Sequence, residues 1–171
     1  MIAVRTPPTT LRAEARQLVR LALKQVLALK LACPLAEIEL TSQPGQALKL
    51  LHSTHHIGLS ISHESGLSIA AINMHGKVGI DLMAIHSVPE QDEMHTLVTD
   101  YLGKQTAEYL SGLAGDRQKE AFARAWTNFE ARLKCKEKAL VEWSQSGEAL
   151  LTGCSSCNLQ VPDGYIAAIA F

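Results

Sequence analysis

Four side chains in this 171-residue chain carry groups suited to work on a phosphate ester: the carboxylates of Asp81 and Glu130, the ammonium of Lys134 and the imidazole of His63. Two carboxylates are hard oxygen donors that suit a divalent cation such as Mg²⁺. An ammonium neutralises phosphate charge as it develops, and a positioned carboxylate or imidazole takes the proton from an attacking hydroxyl. Glu130 and Lys134 are one helical turn apart, hence on one face of any helix that holds both. Asp81 follows the apolar run Val78-Gly79-Ile80, where a carboxylate is expensive to bury unless paired, hydrogen-bonded or metal-bound. His63 closes Leu59-Ser60-Ile61-Ser62-His63, which alternates as a half-buried strand does.

Taken singly, each residue has an ordinary reading too. Glu130 and Lys134 also describe a solvated ion pair worth about 0.3 kcal/mol. Asp81 also describes a strand-end carboxylate bonded to backbone, and His63 a structural histidine. The cluster His52, His55, His56 sits in a polar loop without an evident partner ligand. Cys154-Ser-Ser-Cys157 has C-x-x-C spacing, but no second ligand pair stands at the spacing a zinc site needs. It also lies between Gly153 and a Pro-bounded strand instead of opening a helix, as a thioredoxin-like motif would. Four reduced structural thiols (Cys33, Cys135, Cys154, Cys157) and a reducing compartment are expected.

Hydrophobic residues at 47% and charged residues at 19% describe a globular chain, long enough for one sizeable domain or two small halves sharing a core. A net charge of -1 argues against a dedicated nucleic-acid binder. Residues 1–75 carry seven Lys/Arg against four Asp/Glu (7 − 4 = +3), and 76–171 carry nine against thirteen (9 − 13 = −4). The positive half suits an anionic ligand and the negative half a metal. Met1-Ile-Ala-Val-Arg-Thr-Pro-Pro has no apolar signal core. Leu18–Leu31 is interrupted by Arg20, Lys24, Gln25 and Lys30, so no membrane span is expected and the cytoplasm is the default location.

The elements that must position these groups follow from periodicity and punctuation. A helix is predicted from Thr9 or Thr10 to Leu31, with Leu11, Ala15, Leu18, Ala22, Val26 and Leu29 as its buried stripe. Arg12, Arg16, Arg20 and Lys24 recur every fourth residue on a neighbouring face. Glu37–Thr41 reads as a short strand turned by Gln43-Pro-Gly45, and Leu59–His63 as another. Leu67–Met74 and Lys77–Met83 are predicted to pair as a hairpin about His75-Gly76, covered on both faces. Helices are predicted over Pro89–Tyr101, Thr106–Leu110 and Asp116–Val141, the last with Phe122, Trp126, Phe129 and Leu133 as its apolar stripe. Glu148–Thr152, Asn158–Val161 and Tyr165–Phe171 read as strands. The fold class is α+β: two halves, 1–75 and 76–171, each with helices over a small antiparallel sheet, in one compact unit.

In combination the segments resemble the 4'-phosphopantetheinyl transferases of the larger, surfactin-synthetase-activating type, whose two halves are pseudo-symmetric. Ile61-Ser62-His63 looks like that family's S-x-S-H motif, and Val78-Gly79-Ile80-Asp81 like its G-V/I-D-x-E motif. Trp126-Thr-Asn-Phe-Glu130-Ala-Arg-Leu-Lys134 looks like its W-[ST]-x-K-E-x-x-x-K helix, and Val161–Ile169 like its closing strand. The likeness covers about residues 11–171. It implies transfer of the phosphopantetheine arm from coenzyme A to a serine of an apo acyl or peptidyl carrier protein, dependent on Mg²⁺ with Mn²⁺ as a substitute, releasing 3',5'-ADP. It further implies Asp81 and Glu130 as metal ligands, Glu130 as base, Lys134 on the transferring phosphate, and His63, Ser62, Arg16 and Arg20 as coenzyme A contacts. A monomer is expected, because fused halves bury the interface that a smaller homo-oligomeric relative would need.

The chain departs from that pattern in three charge-reducing places. Met83 stands where a second strand carboxylate is usual, and a thioether does not replace oxygen on Mg²⁺. Phe129 stands where a lysine commonly precedes the helix glutamate, and Gln46 where a lysine often lies. The front of the chain is short where larger family members carry an extra strand. These changes bring in a second expectation, a catalytically weak relative that binds coenzyme A or a carrier protein.

Overall fold

The computed structural model describes residues 1–42, 47–51 and 56–171. The predicted turn Gln43-Pro-Gly45, Gln46, His52 and His55 lie outside the described residues. Helix α1 (Arg12–Leu31) runs without Gly or Pro until Ala32 enters the left-handed region at φ 52, ahead of Pro34. It buries Ala15, Val19, Leu23 and Leu27. The predicted stripe is therefore rotated by about one residue: Leu11, Leu18 and Leu29 are 74%, 40% and 82% exposed. Leucine and alanine occupy most sides of α1, so two apolar rows overlap in the sequence. The sheet beneath selects one of them, packing Leu59 and Ala70 against Val19, Leu23 and Leu27.

That sheet contains β1 (Ile2–Arg5), β4 (Gly58–Glu64) and β5 (Leu67–Asn73), in the order β1-β5-β4, all antiparallel. β1 corrects the expectation of a missing front strand: the alternating Ile2-Ala-Val-Arg5 pairs with β5 from Ile2↔Ala70 to Arg5↔Leu67. A two-residue ladder, β2 (Leu40–Thr41) with β3 (Lys49–Leu50), lies beside it. The second sheet contains β6 (Gly79–Ala84), β7 (Ser156–Leu159) and β8 (Tyr165–Ala170), in the order β6-β8-β7. The hairpin predicted about His75-Gly76 is therefore not formed. Both edges of β5 are taken by β1 and β4, so β6 finds its partner in β8. The apolar residues on both faces of these strands have a different cause. Leu67, Ile69 and Ala71 of the first sheet pack face to face against Val78, Ile80, Leu82 and Ala167 of the second.

The layers are α1, first sheet, second sheet and α4 (Gly115–Cys135), whose Ala131 and Cys135 sit on Ala168 and Ala170 of β8. α2 (Gln91–Leu97) continues through a π-helical turn to Gly103, and α3 (Lys104–Ser111) follows. Both close over the front of α4, around Phe122 and Ala123. α4 stops at Cys135, short of the predicted Val141, and Glu137 turns the chain left-handed at φ 55. The predicted strand Glu148–Thr152 is instead the tail of α5 (Gln145–Leu150) and the turn after it. Ser144 starts α5, its hydroxyl accepting the Gly147 N–H at 3.0 Å. The observed class is mixed α+β with small antiparallel sheets. Among the described residues no helix is long and apolar enough to cross a membrane.

Candidate functional site

The site forms along a seam where β6, at the edge of the second sheet, lies over the inner face of the first sheet at β4. β4 and β6 each end a sheet and run side by side in the same direction. A buried strand edge leaves N–H groups that need acceptors, and β4 supplies them from alternate side chains. Ile80 N–H donates to Ser60 Oγ at 3.0 Å and Leu82 N–H to Ser62 Oγ at 3.2 Å. The third rung is Ala84 N–H to the Glu64 carboxylate, which the Ser87 hydroxyl also reaches at 3.3 Å. The same alternation turns Leu59, Ile61 and His63 toward α1.

Asp81, 7% exposed, lies on β6 beside this seam. Its Oδ1 accepts from the Ser62 hydroxyl at 2.9 Å and from Lys134 Nζ at 2.6 Å. Lys134 Nζ also reaches the Ile80 carbonyl at 3.3 Å and Ser62 Oγ at 3.5 Å. The ammonium is thus held at the seam by one carboxylate, one carbonyl and one hydroxyl. α4 comes this close because Gly79, two residues before Asp81, has no side chain. A Cβ there would stand 1.8 Å from the Ala131 carbonyl oxygen and 2.5 Å from the Cys135 nitrogen.

Glu130 stands one turn before Lys134 on α4, partly buried, with no hydrogen-bond partner among the described residues. Burial raises its pKa above the ordinary carboxylate value; the Asp81 charge pushes the same way and Lys134 pulls it back. Asp81 and Glu130 therefore both feel the charge of Lys134, and Asp81 alone is ion-paired with it. Across the seam His63 Nδ1 pairs with Ser68 Oγ at 2.9 Å. Its pKa falls to about 4 through burial first, then the charges of Arg16, Arg12, Lys134 and Arg20. His63 is therefore a neutral donor or acceptor at pH 7, embedded among cations. Arg20 also donates to Ser42 Oγ, while Arg16 is exposed.

The structure brings together Asp81, Glu130, Lys134 and Ser62, and sets His63, Arg16 and Arg20 within electrostatic reach. Ser62, expected at the coenzyme, has a buried hydroxyl committed to Asp81 and Leu82. Met83 turns into the helical cluster around Phe122, not toward Asp81 as a ligand. Glu64 sees the Asp81 charge and is raised above the ordinary carboxylate value, chiefly by burial. Among the described residues no three His, Cys, Asp or Glu side chains converge on one point. Cys154 is buried against Cys135, whereas Cys157 is exposed on β7, and all four cysteines are free.

Sequence reasoning missed Gly79 as a packing requirement, Ser60 and Glu64 as rungs of the seam, and Arg12 as a charge on His63. The alternation Ser60, Ser62, Glu64 was visible, but its partner strand was not. A cavity of about 410 Å³ adjoins Lys134 between β3, the start of β4 and the Gly76–Val78 segment. Compared with known protein families and with curated protein sequences, the chain matches none.

Proposed function

We propose that this chain transfers the 4'-phosphopantetheine arm of coenzyme A to a serine hydroxyl of an apo acyl or peptidyl carrier protein, releasing 3',5'-ADP. The observation that carries the reading is the convergence of Asp81, Glu130 and Lys134, from β6 and α4, beside a histidine ringed by arginines. The halves of the chain, 1–75 and 76–171, are on this reading the pseudo-symmetric units of the transferase fold, with the site at their junction.

The residues divide the work by chemistry. Glu130, with its affinity for protons raised by burial, takes the serine proton as the oxygen forms its bond to phosphorus. The bond from that phosphorus to the bridging oxygen breaks, and the oxygen leaves with 3',5'-ADP. Lys134 neutralises charge growing on the phosphates, released from or shared with Asp81. His63, neutral and held by Ser68, hydrogen-bonds a phosphate, and Arg16 and Arg20 attract the nucleotide end. The donor set fits Mg²⁺: Asp81 and Glu130 would hold it, with phosphate oxygens and water supplying the rest. When bound, such an ion polarises the phosphoryl oxygens.

A second reading, a weak or inactive relative that binds coenzyme A or a carrier, is favoured by Met83 in the helical cluster and by Lys134 bonded to Asp81. Incubation with coenzyme A, Mg²⁺ and a panel of apo carrier proteins, followed by intact-mass measurement of each carrier, separates the two. Carrier heavier by one arm supports transfer. Coenzyme A binding with no mass gain on any carrier, where a control transferase succeeds, sinks the enzyme reading and leaves the binding one.

A further inference from the structure

Ser68 is the one polar side chain on the α1-facing side of β5, where it alternates with Ala70 and Ile72. It is 0% exposed. On β4 it stands opposite His63, and its Oγ lies 2.9 Å from Nδ1, its one hydrogen-bond partner among the described residues. A hydroxyl proton buried without an acceptor is costly, and here Nδ1 is the acceptor within reach. Nδ1 therefore carries a lone pair, and the proton of the neutral ring sits on Nε2. Burial first, then the charges of Arg16, Arg12, Lys134 and Arg20, keep the ring neutral, in agreement with that arrangement. Nε2, on the far side of the ring, has no hydrogen-bond partner among the described residues. It also reaches solvent, since the one side-chain nitrogen or oxygen among them that is both buried and unpartnered is Arg132 Nε. An open N–H among cations is a donor directed at an anion.

Resting on the transferase reading above, in which His63 meets a phosphate, we propose that Ser68 is a positioning residue that fixes the tautomer of His63. Its hydroxyl donates to Nδ1, holds the ring proton on Nε2 and so presents Nε2–H to an unprotonated phosphate oxygen. The same arrangement bars His63 from acting as a base, because its lone pair is turned to a buried serine. Proton removal from the attacking hydroxyl then falls to Glu130.

Long-range proton–nitrogen correlation spectra of protein labelled at the histidine ring nitrogens read the tautomer directly, with His63 assigned by its loss in His63→Leu. The wild type is expected to carry its proton on Nε2, and Ser68→Ala to shift Nδ1 toward the resonance of an unbonded lone pair. Calorimetric titration with coenzyme A supplies the second readout. Ser68→Ala should weaken binding roughly fivefold, about one hydrogen bond. In a His63→Leu background it should cost nothing further, because Ser68 acts only through the ring. A wild-type proton on Nδ1 overturns the assignment whatever ligand binds. A Ser68→Ala loss that persists in His63→Leu makes Ser68 merely structural and overturns the proposal equally, as does Ser68→Ala binding at wild-type affinity. If Ser68→Ala does not fold, the wild-type spectrum decides. A wild type with its proton on Nε2 that does not bind coenzyme A overturns the transferase reading, while the tautomer set by Ser68 stands.

Discussion

Glu130 and His63 are shifted in opposite directions by one environment, and each shift has its own readout. Glu130→Gln removes the proposed base while preserving shape, and relieves the repulsion that Asp81 exerts on it. The rate of arm transfer should fall by about 10³-fold with no loss of melting temperature. A variant that melts lower and keeps its rate would mean that Glu130 is structural. For His63 the sign follows from linkage. Its folded pKa of about 4 lies below the ordinary 6.5, so the folded state binds fewer protons between those values. Stability should therefore drain away as pH falls from about 6.5 to about 4. His63 is only half buried, so screening trims the full linkage to about 1 kcal/mol. Glu64 and Glu130, both raised, act with the opposite sign and reach into the same range. Comparing urea midpoints of the wild type with His63→Gln isolates the histidine, since the carboxylates are common to both. Equal acid sensitivity would refute the assignment.

Elements position these residues through close contacts, and the closest is α4 on β6 at Gly79. Gly79→Ala drives a methyl group into the Ala131 carbonyl and Cys135 nitrogen. Backbone on both sides has to move, at a cost of about 2 kcal/mol. That displacement lifts Glu130 and Lys134 off Asp81, so transfer should drop by about 10²-fold as well. Rate and denaturation measured on one preparation check both halves of the claim; a stable, fully active Gly79→Ala protein would show that α4 slides freely. The seam is the other contact between elements. Ser60, Ser62 and Glu64 take three β6 N–H groups, so β4 fixes the height of Asp81 without any sheet ladder between the two strands.

Across the whole molecule the two sheets share the core built from Leu67, Ile69, Ile80, Leu82 and Ala167. A core shared in this way predicts one cooperative transition. Both tryptophans, Trp126 and Trp143, lie in the C-terminal half, so their fluorescence follows that half, whereas far-ultraviolet circular dichroism follows both. The two probes should give coincident urea midpoints. Ile69→Ala, a truncation at a fully buried position of the N-terminal half, should lower both together by about 3 kcal/mol. Separate transitions, or a shift in dichroism alone, would mean that the halves unfold independently.

What the sequence determined by itself was local. Periodicity placed α1, α3 and the body of α4, alternation placed β4, and the four-residue step put Glu130 and Lys134 on one face. It failed where partners are distant or patterns overlap. The crowded leucines of α1 allowed two stripes, and β5 and β6 looked like a hairpin because adjacency in the chain resembles adjacency in a sheet. The stretch Glu148–Thr152 read as a strand, while the cap at Ser144 makes its first part helical. Tertiary structure alone decided that β6 leaves β5 for β8, that Gly79 admits α4, and that Ser62 serves the seam. The reason is physical: hydrogen-bond acceptors for a buried edge, and the space left by a missing side chain, belong to pairs of elements, and no single segment of sequence contains both members.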